Sequence, residues 1–148
     1  CTPGDIRAYL GRLSGPLLDR IDLHVAVPAP SFDEMAGPPA ESSAAVRQRV
    51  IAARGRQAAR AQSAKSLCSN AFLPSGRLRH VVRVEADGER LLRHAVDRLG
   101  LSARGLDRIL RVARTISDLS ESEDVKMDHL AEALHFRRSL DDAPLTSL

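Results

Sequence analysis

Residues 103–119 read ARGLDRILRVARTISDL, and this stretch decides how the rest of the chain is read. Leu106, Ile109, Leu110, Ala113, Ile116 and Leu119 recur at the 3.6-residue period of a helix with one apolar face. Ser102, just ahead, is the residue type whose side-chain oxygen caps a free N–H of the first turn. Arg104 and Gly105 depart from this pattern. A cation in the first turn opposes the macrodipole by roughly a few tenths of a kcal/mol. Glycine costs up to ~1 kcal/mol relative to alanine in a helix. Two costs at one place indicate a constraint besides local helix stability. A helix N-terminus joined by an arginine makes a cradle for an anion such as phosphate. The simpler alternative pairs Arg104 with Asp107.

Outward from this helix the pattern stays helical. Leu91, Leu92, Ala95, Val96 and Leu99 line one side of a helix over 87–99, which Gly100 is placed to end. A last helix is expected over 127–138. Val125 and Leu130 are spaced as a hydrophobic staple, Asp128 suits the first turn, and Arg137 and Arg138 suit the last. Residues 44–66 are rich in alanine and arginine, both strong helix formers. Val46, Val50 and Ala53 form a thin apolar stripe there, with Arg49, Arg56 and Arg60 on another face. Pro74, Ser75 and Gly76 interrupt the chain before a short helical piece.

The N-terminal part reads differently. Residues 4–13 have helical character that Ser14, Gly15 and Pro16 can stop. Ile21–Val27 alternates as IDLHVAV, a period-2 strand closed by Pro28 and Pro30. Asp19, Arg20 and Asp22 interrupt the apolar run SGPLLDRIDL at 14–23. Burying such charges unpaired costs roughly several kcal/mol, so they need partners or a task. Residues 28–43 hold Pro28, Pro30, Gly37, Pro38 and Pro39 and read as a linker. A lone strand has no partner for its N–H and C=O groups, so residues 1–30 are expected to pack irregularly. Leu106, Ile109, Leu110, Ala113 and Ile116 are expected to pack on Leu91, Leu92, Ala95, Leu130 and Leu134.

The net charge of +3 hides an uneven distribution. Residues 1–41 and 85–148 are each net acidic by 3, while 42–84 carries 9 positive charges and no acid. That basic segment holds Arg47, Arg49, Arg54, Arg56 and Arg60, candidate contacts for the phosphates of DNA. An arginine-rich helix facing an acidic neighbour is the alternative. Only Tyr9, Phe32, Phe72 and Phe136 are aromatic, too few for a base-stacking platform. Cys1 and Cys68 alone make neither a disulfide framework nor a complete zinc site, so no metal is expected. His24, His80, His94, His129 and His135 show no metal-ligand spacing. No run approaches a membrane span of ~18 apolar residues, and no membrane partner is expected. With no Met at its start, the chain reads as a piece of a longer cytoplasmic protein.

SGPLLDRIDLHVAVP at 14–28, LSARGLDRILRVARTISDL at 101–119 and HLAEALHFRR at 129–138 resemble the C-terminal part of the Mg-chelatase-like AAA+ ATPases. Among these, the similarity is greatest to the ComM/YifB competence-protein family. The resemblance implies a mainly α fold, a helical lid bundle preceded by the last helix and strand of an α/β core. It divides the chain into core end 1–30, linker 31–43, lid 44–140 and tail 141–148. It implies that Arg20 is an arginine finger reaching ATP on a neighbouring subunit, with Asp19 and Asp22 holding its guanidinium or the subunit seam. A mere Arg20–Asp22 clamp is the alternative.

By the same resemblance Arg104 is the sensor-2 arginine that touches nucleotide phosphates. Arg108, Arg111 and Arg114 are expected in salt bridges with acids such as Asp107 and Asp118. The implied function is a DNA helicase driving branch migration in natural transformation. The implied partners are the upstream AAA+ core, a hexameric homo-oligomer and DNA. ATP and Mg2+ serve the full-length protein, and none is expected here because the Gly-Lys-Ser/Thr loop and the acidic magnesium motif are absent. The alternatives are an autonomous basic DNA-binding helical module and the ATPase subunit of a metal chelatase.

Overall fold

A computed structural model describes residues 2–12, 14–18, 20–61 and 69–137. The chain is mainly helical. Its elements are α1 (Pro3–Leu10), α2 (Gly15–Leu18), α3 (Phe32–Ala36), α4 (Ser43–Arg60), a 3₁₀ turn (Asn70–Phe72), α5 (Ser75–Val81), α6 (Ala86–Leu99), α7 (Ala103–Leu119) and α8 (Met127–His135). The readings that involve Cys1, Asp19, Lys65, Cys68, Arg138 and the tail at 141–148 lie outside the described residues.

The core forms where α7 meets α8, with α6 laid on α8 and α4 and α5 on α7. Leu92, Ile109, Leu110, Ala113, Ile116 and Leu130 are buried in one cluster, and Leu91, Leu106 and Leu134 pack on its rim. Ala95 is buried outside that cluster. Local signals explain the element ends. Ser102 Oγ accepts the Gly105 N–H at 3.0 Å and starts α7. Gly100, at φ 58°, turns the chain out of α6 in the left-handed conformation that glycine tolerates best. Val125 and Leu130, on either side of the first turn of α8, are both in the core.

The end of α7 is a Schellman-type turn in which the Ser122 N–H reaches back to the Ser117 carbonyl at 2.9 Å. Glu121 occupies the left-handed position there, at φ 60°, where glycine is usual. Its carboxylate meets Arg56 at 3.1 Å, a contact that glycine could not make.

Several expectations change in detail. The last helix, expected over 127–138, ends at His135, so Arg137 lies beyond its last turn. Ile21–Val27 forms no ladder, and no strand occurs among the described residues. The described residues offer no second strand to pair with it, and Leu23, Val25 and Val27 stay exposed. The stretch read as a linker contains α3, built on a capping box. Ser31 Oγ accepts the Glu34 N–H at 3.2 Å, and the Glu34 carboxylate accepts the Ser31 N–H at 2.7 Å. On α4 the buried residues are Ala53 and Gln57, while Val46 and Val50 remain exposed. Only the second half of α4 lies against the bundle, so the apolar stripe of its first half is left exposed among the described residues.

Candidate functional site

The first turn of α7 presents Arg104 to solvent. The acid offered as its partner, Asp107, instead accepts a hydrogen bond from Ser75 Oγ of α5. Because Ser102 Oγ takes the Gly105 N–H, the N–H groups of Ala103 and Arg104 have no acceptor within the helix. A guanidinium and free N–H groups at a helix start fit the oxygens of a phosphate.

Arg108 lies one turn further along α7, on the same face as Arg104. Its Nη1 donates to the carboxylate of Asp22 and to the carbonyl of Arg20, joining residues 86 and 88 positions apart. The end of α8 holds the same segment. Arg137 Nη1 donates to the Ile21 carbonyl, and the His24 N–H donates to the Phe136 carbonyl at 2.8 Å. Residues 20–24 therefore lie along the face of the bundle that carries Arg104.

Arg20 itself is exposed. Its Nη1 is 3.5 Å from the Pro16 carbonyl, at the outer limit of a hydrogen bond. Asp22 is paired with Arg108 rather than with Arg20, so it clamps the backbone beside the candidate finger and leaves the guanidinium to solvent. This contact was not legible in the sequence. The acid two residues after Arg20 was visible, but nothing local marked Arg108 as its partner.

The arginines of the basic segment have mixed placements. Arg47 is exposed, Arg49 pairs with Glu41 at 2.6 Å, and Arg54 donates to Gln57 at 3.2 Å. Arg56 donates to the Asp118 carbonyl at 3.1 Å and pairs with Glu121. Arg60 pairs with the Asp118 carboxylate. Arg56 and Arg60 thus turn inward and dock α4 on the end of α7. The cleft they line, about 400 Å³, also presents Arg114, Glu121 and Glu123, so acids offset most of its positive charge. Of the other α7 arginines, Arg111 donates to the Leu73 carbonyl at 3.0 Å and Arg114 pairs with Asp118.

Among the described residues no group of three His, Cys, Asp or Glu side chains could hold a metal ion. No helix among them is long and apolar enough to cross a membrane.

Two family models and several curated proteins match the chain. The family model for the C-terminal part of magnesium chelatase, subunit ChlI, matches residues 40–137, and that for magnesium chelatase, subunit ChlI, matches residues 1–35. The uncharacterised protein YifB of Escherichia coli K12 is 42% identical over 139 residues, 93% of this chain and 26% of that relative. Competence protein ComM of Haemophilus influenzae is 39% identical over 138 residues, 92% of this chain and 26% of that relative. An uncharacterised protein of Mycobacterium tuberculosis is 40% identical over 139 residues, 94% of this chain and 27% of that relative. The chain spans about a quarter of the length of the curated relatives it matches.

Proposed function

The chain belongs to the magnesium chelatase subunit ChlI family, and we propose that it supplies the arginine finger and helical lid of an AAA+ ATPase of the ComM kind. In this reading Arg20 reaches ATP held by a neighbouring subunit, and Arg104 is the sensor-2 contact to nucleotide phosphate. The whole protein is then a hexameric ring that moves DNA branches in the cytoplasm during natural transformation, fuelled by ATP with Mg2+.

One observation carries the reading. Arg20 and Arg104 keep their guanidinium groups off any carboxylate among the described residues, as Arg47 and Arg54 also do, and they lie on one face of the bundle, where Arg108 ties the backbone of Arg20 to the helix that bears Arg104. A cation that reads phosphate must be unspent. ATP with Mg2+ supplies the transferable phosphoryl group and part of the charge neutralisation. Arg20 adds a fixed cation where charge spreads over the phosphoryl oxygens, a contribution on the order of 10³ or more in rate. Arg104 with the start of α7 binds phosphate and couples its loss to movement of the lid.

The test is Arg20→Ala in the ATPase that carries this chain. Turnover should fall on the order of 10³-fold while nucleotide binding survives, and unchanged turnover would refute the finger. The family description itself favours a second reading, the motor subunit of a metal chelatase. Stimulation of ATP turnover by branched DNA supports the helicase; stimulation by a metal-free tetrapyrrole supports the chelatase.

A further inference from the structure

We infer that Arg108 is the positioning residue for Arg20, tying the candidate finger to the helix that carries Arg104. The inference rests on the reading of Arg20 as an arginine finger. It concerns what sets the place of that finger.

The segment that bears Arg20 has little apolar anchorage. Ile21, Leu23, Val25 and Val27 are 38%, 49%, 63% and 85% exposed, so burial does not fix where it lies. Polar contacts do. Arg108 Nη1 holds the carbonyl of Arg20 and the carboxylate of Asp22 together, which fixes both the height and the rotation of the backbone between them. Arg137 holds the carbonyl of Ile21, and the Phe136 carbonyl holds the N–H of His24. The segment is gripped by α7 and by the residues just after α8, and those two helices are packed on one another in the core.

The chemistry favours arginine at 108. The two N–H groups of its Nη1 serve the two acceptors at once, and its guanidinium is more weakly hydrated than the ammonium of lysine and so is partly buried at less cost. Its side chain is only 20% exposed, and its Nε is buried without a partner, so the two acceptors at Nη1 do much to compensate its desolvation. Arg104 and Arg108 are one turn apart on one helix face, about 5–6 Å between Cβ atoms. A shift of the first turn of α7 when Arg104 gains or loses phosphate is therefore delivered to the peptide of Arg20. The site read by Arg104 and the site served by Arg20 become coupled through one side chain.

Two measurements test this. In the chain itself, Arg108→Gln should speed hydrogen exchange at the His24 amide while the α7 and α8 amides keep their protection. Unaltered exchange at His24 would overturn the docking. In the ATPase that carries the chain, Arg108→Gln or Asp22→Asn should lower kcat by on the order of tenfold to a hundredfold, as expected for slight misplacement of a catalytic group, with the nucleotide KM unmoved. Arg108→Lys should recover part of the loss. The Arg108→Gln/Asp22→Asn double variant should be no slower than Arg108→Gln alone, because that change already breaks the contact to Asp22. A normal kcat for Arg108→Gln beside an inactive Arg20→Ala overturns the positioning role and leaves the finger standing. An active Arg20→Ala overturns the finger itself, and the exchange measurement then still decides whether Arg108 docks the segment.

Discussion

Arg114 and Asp118 face each other across one turn of α7, 1% and 0% exposed, with Arg114 Nη2 3.0 Å from Asp118 Oδ1. The other carboxylate oxygen of Asp118 accepts from Asn70 Nδ2 at 2.8 Å and from Arg60. Arg114 also donates to the carbonyls of Ser122 and Glu123. One buried pair thereby joins α4, the 3₁₀ turn, α7 and the turn before α8. Burial pushes the Arg114 guanidinium below its ordinary range, and Asp118 beside it opposes that shift. Replacing Asp118 by Ala should cost about 3–5 kcal/mol, because a buried cation loses its counterion. In a double-mutant cycle by urea unfolding, Arg114→Met and Asp118→Ala should couple by about 0.5–3 kcal/mol. Simple additivity would show that the two side chains do not act as a pair.

Gly88 on α6 sits where a side chain does not fit. A Cβ there would lie 2.7 Å from Val84 Cγ1 and 2.8 Å from Leu130 Cδ1, and Leu130 is wholly buried. Gly88→Ala gains up to ~1 kcal/mol of helix propensity but overpacks the α6–α8 contact at about 1–3 kcal/mol. The expected result is a net loss, seen as a lower urea midpoint. A higher midpoint would mean that α6 can slide away from α8.

His129 couples stability to pH. It is buried in the first turn of α8, where its Nδ1 accepts the Lys126 N–H at 3.1 Å. Burial, with the charges of Lys126 and Arg114 acting in the same direction, lowers its pKa below the ordinary 6.5. The unfolded chain therefore takes up the proton first as pH falls. The contribution of His129 is complete above the ordinary value of 6.5, declines as pH drops below it, and levels off beneath the lowered folded value. His129→Gln keeps an acceptor for the same N–H and does not titrate. Its unfolding free energy should fall less steeply below pH 6.5 than that of the parent. Identical slopes would remove His129 as a cause.

Arg60 and Arg47 separate structure from DNA contact. Arg60→Gln gives up a charged hydrogen bond to Asp118 and should lower unfolding free energy by roughly 1–3 kcal/mol. Arg47 is exposed, and Arg47→Gln should leave stability unaltered. If the basic segment binds duplex DNA, losing one phosphate contact at Arg47 should flatten the slope of log K against log salt by about 0.9. The same flattening with Arg60→Gln, without loss of stability, would show that Arg60 faces DNA rather than Asp118.

By itself the sequence determined three helices, expected over 87–99, 103–119 and 127–138 and found at Ala86–Leu99, Ala103–Leu119 and Met127–His135, and most of the core between them. Those signals are local: a 3.6-residue apolar period, Ser102 before α7, Gly100 after α6, and Val125 with Leu130 around the start of α8. The capping box of α3 is equally local, since Ser31 and Glu34 have its spacing, but the surrounding prolines and glycine read as linker and mask it. Arg20 and Arg104 could be singled out because each sits in a long, specific motif.

Arg114 with Asp118, one turn apart on α7, was legible in the sequence, but only the tertiary structure decided the long-range arginine pairs. Arg108 with Asp22, and Arg60 with Asp118, join residues 86 and 58 positions apart. No period or cap encodes such pairs, because they depend on which helix faces come together once the core has formed. The same holds for IDLHVAV, whose alternation states a preference for strand. A strand is stabilised by a neighbour's N–H and C=O groups, so the pattern alone could not form one, and the side chains of α7 and the end of α8 hold that backbone instead.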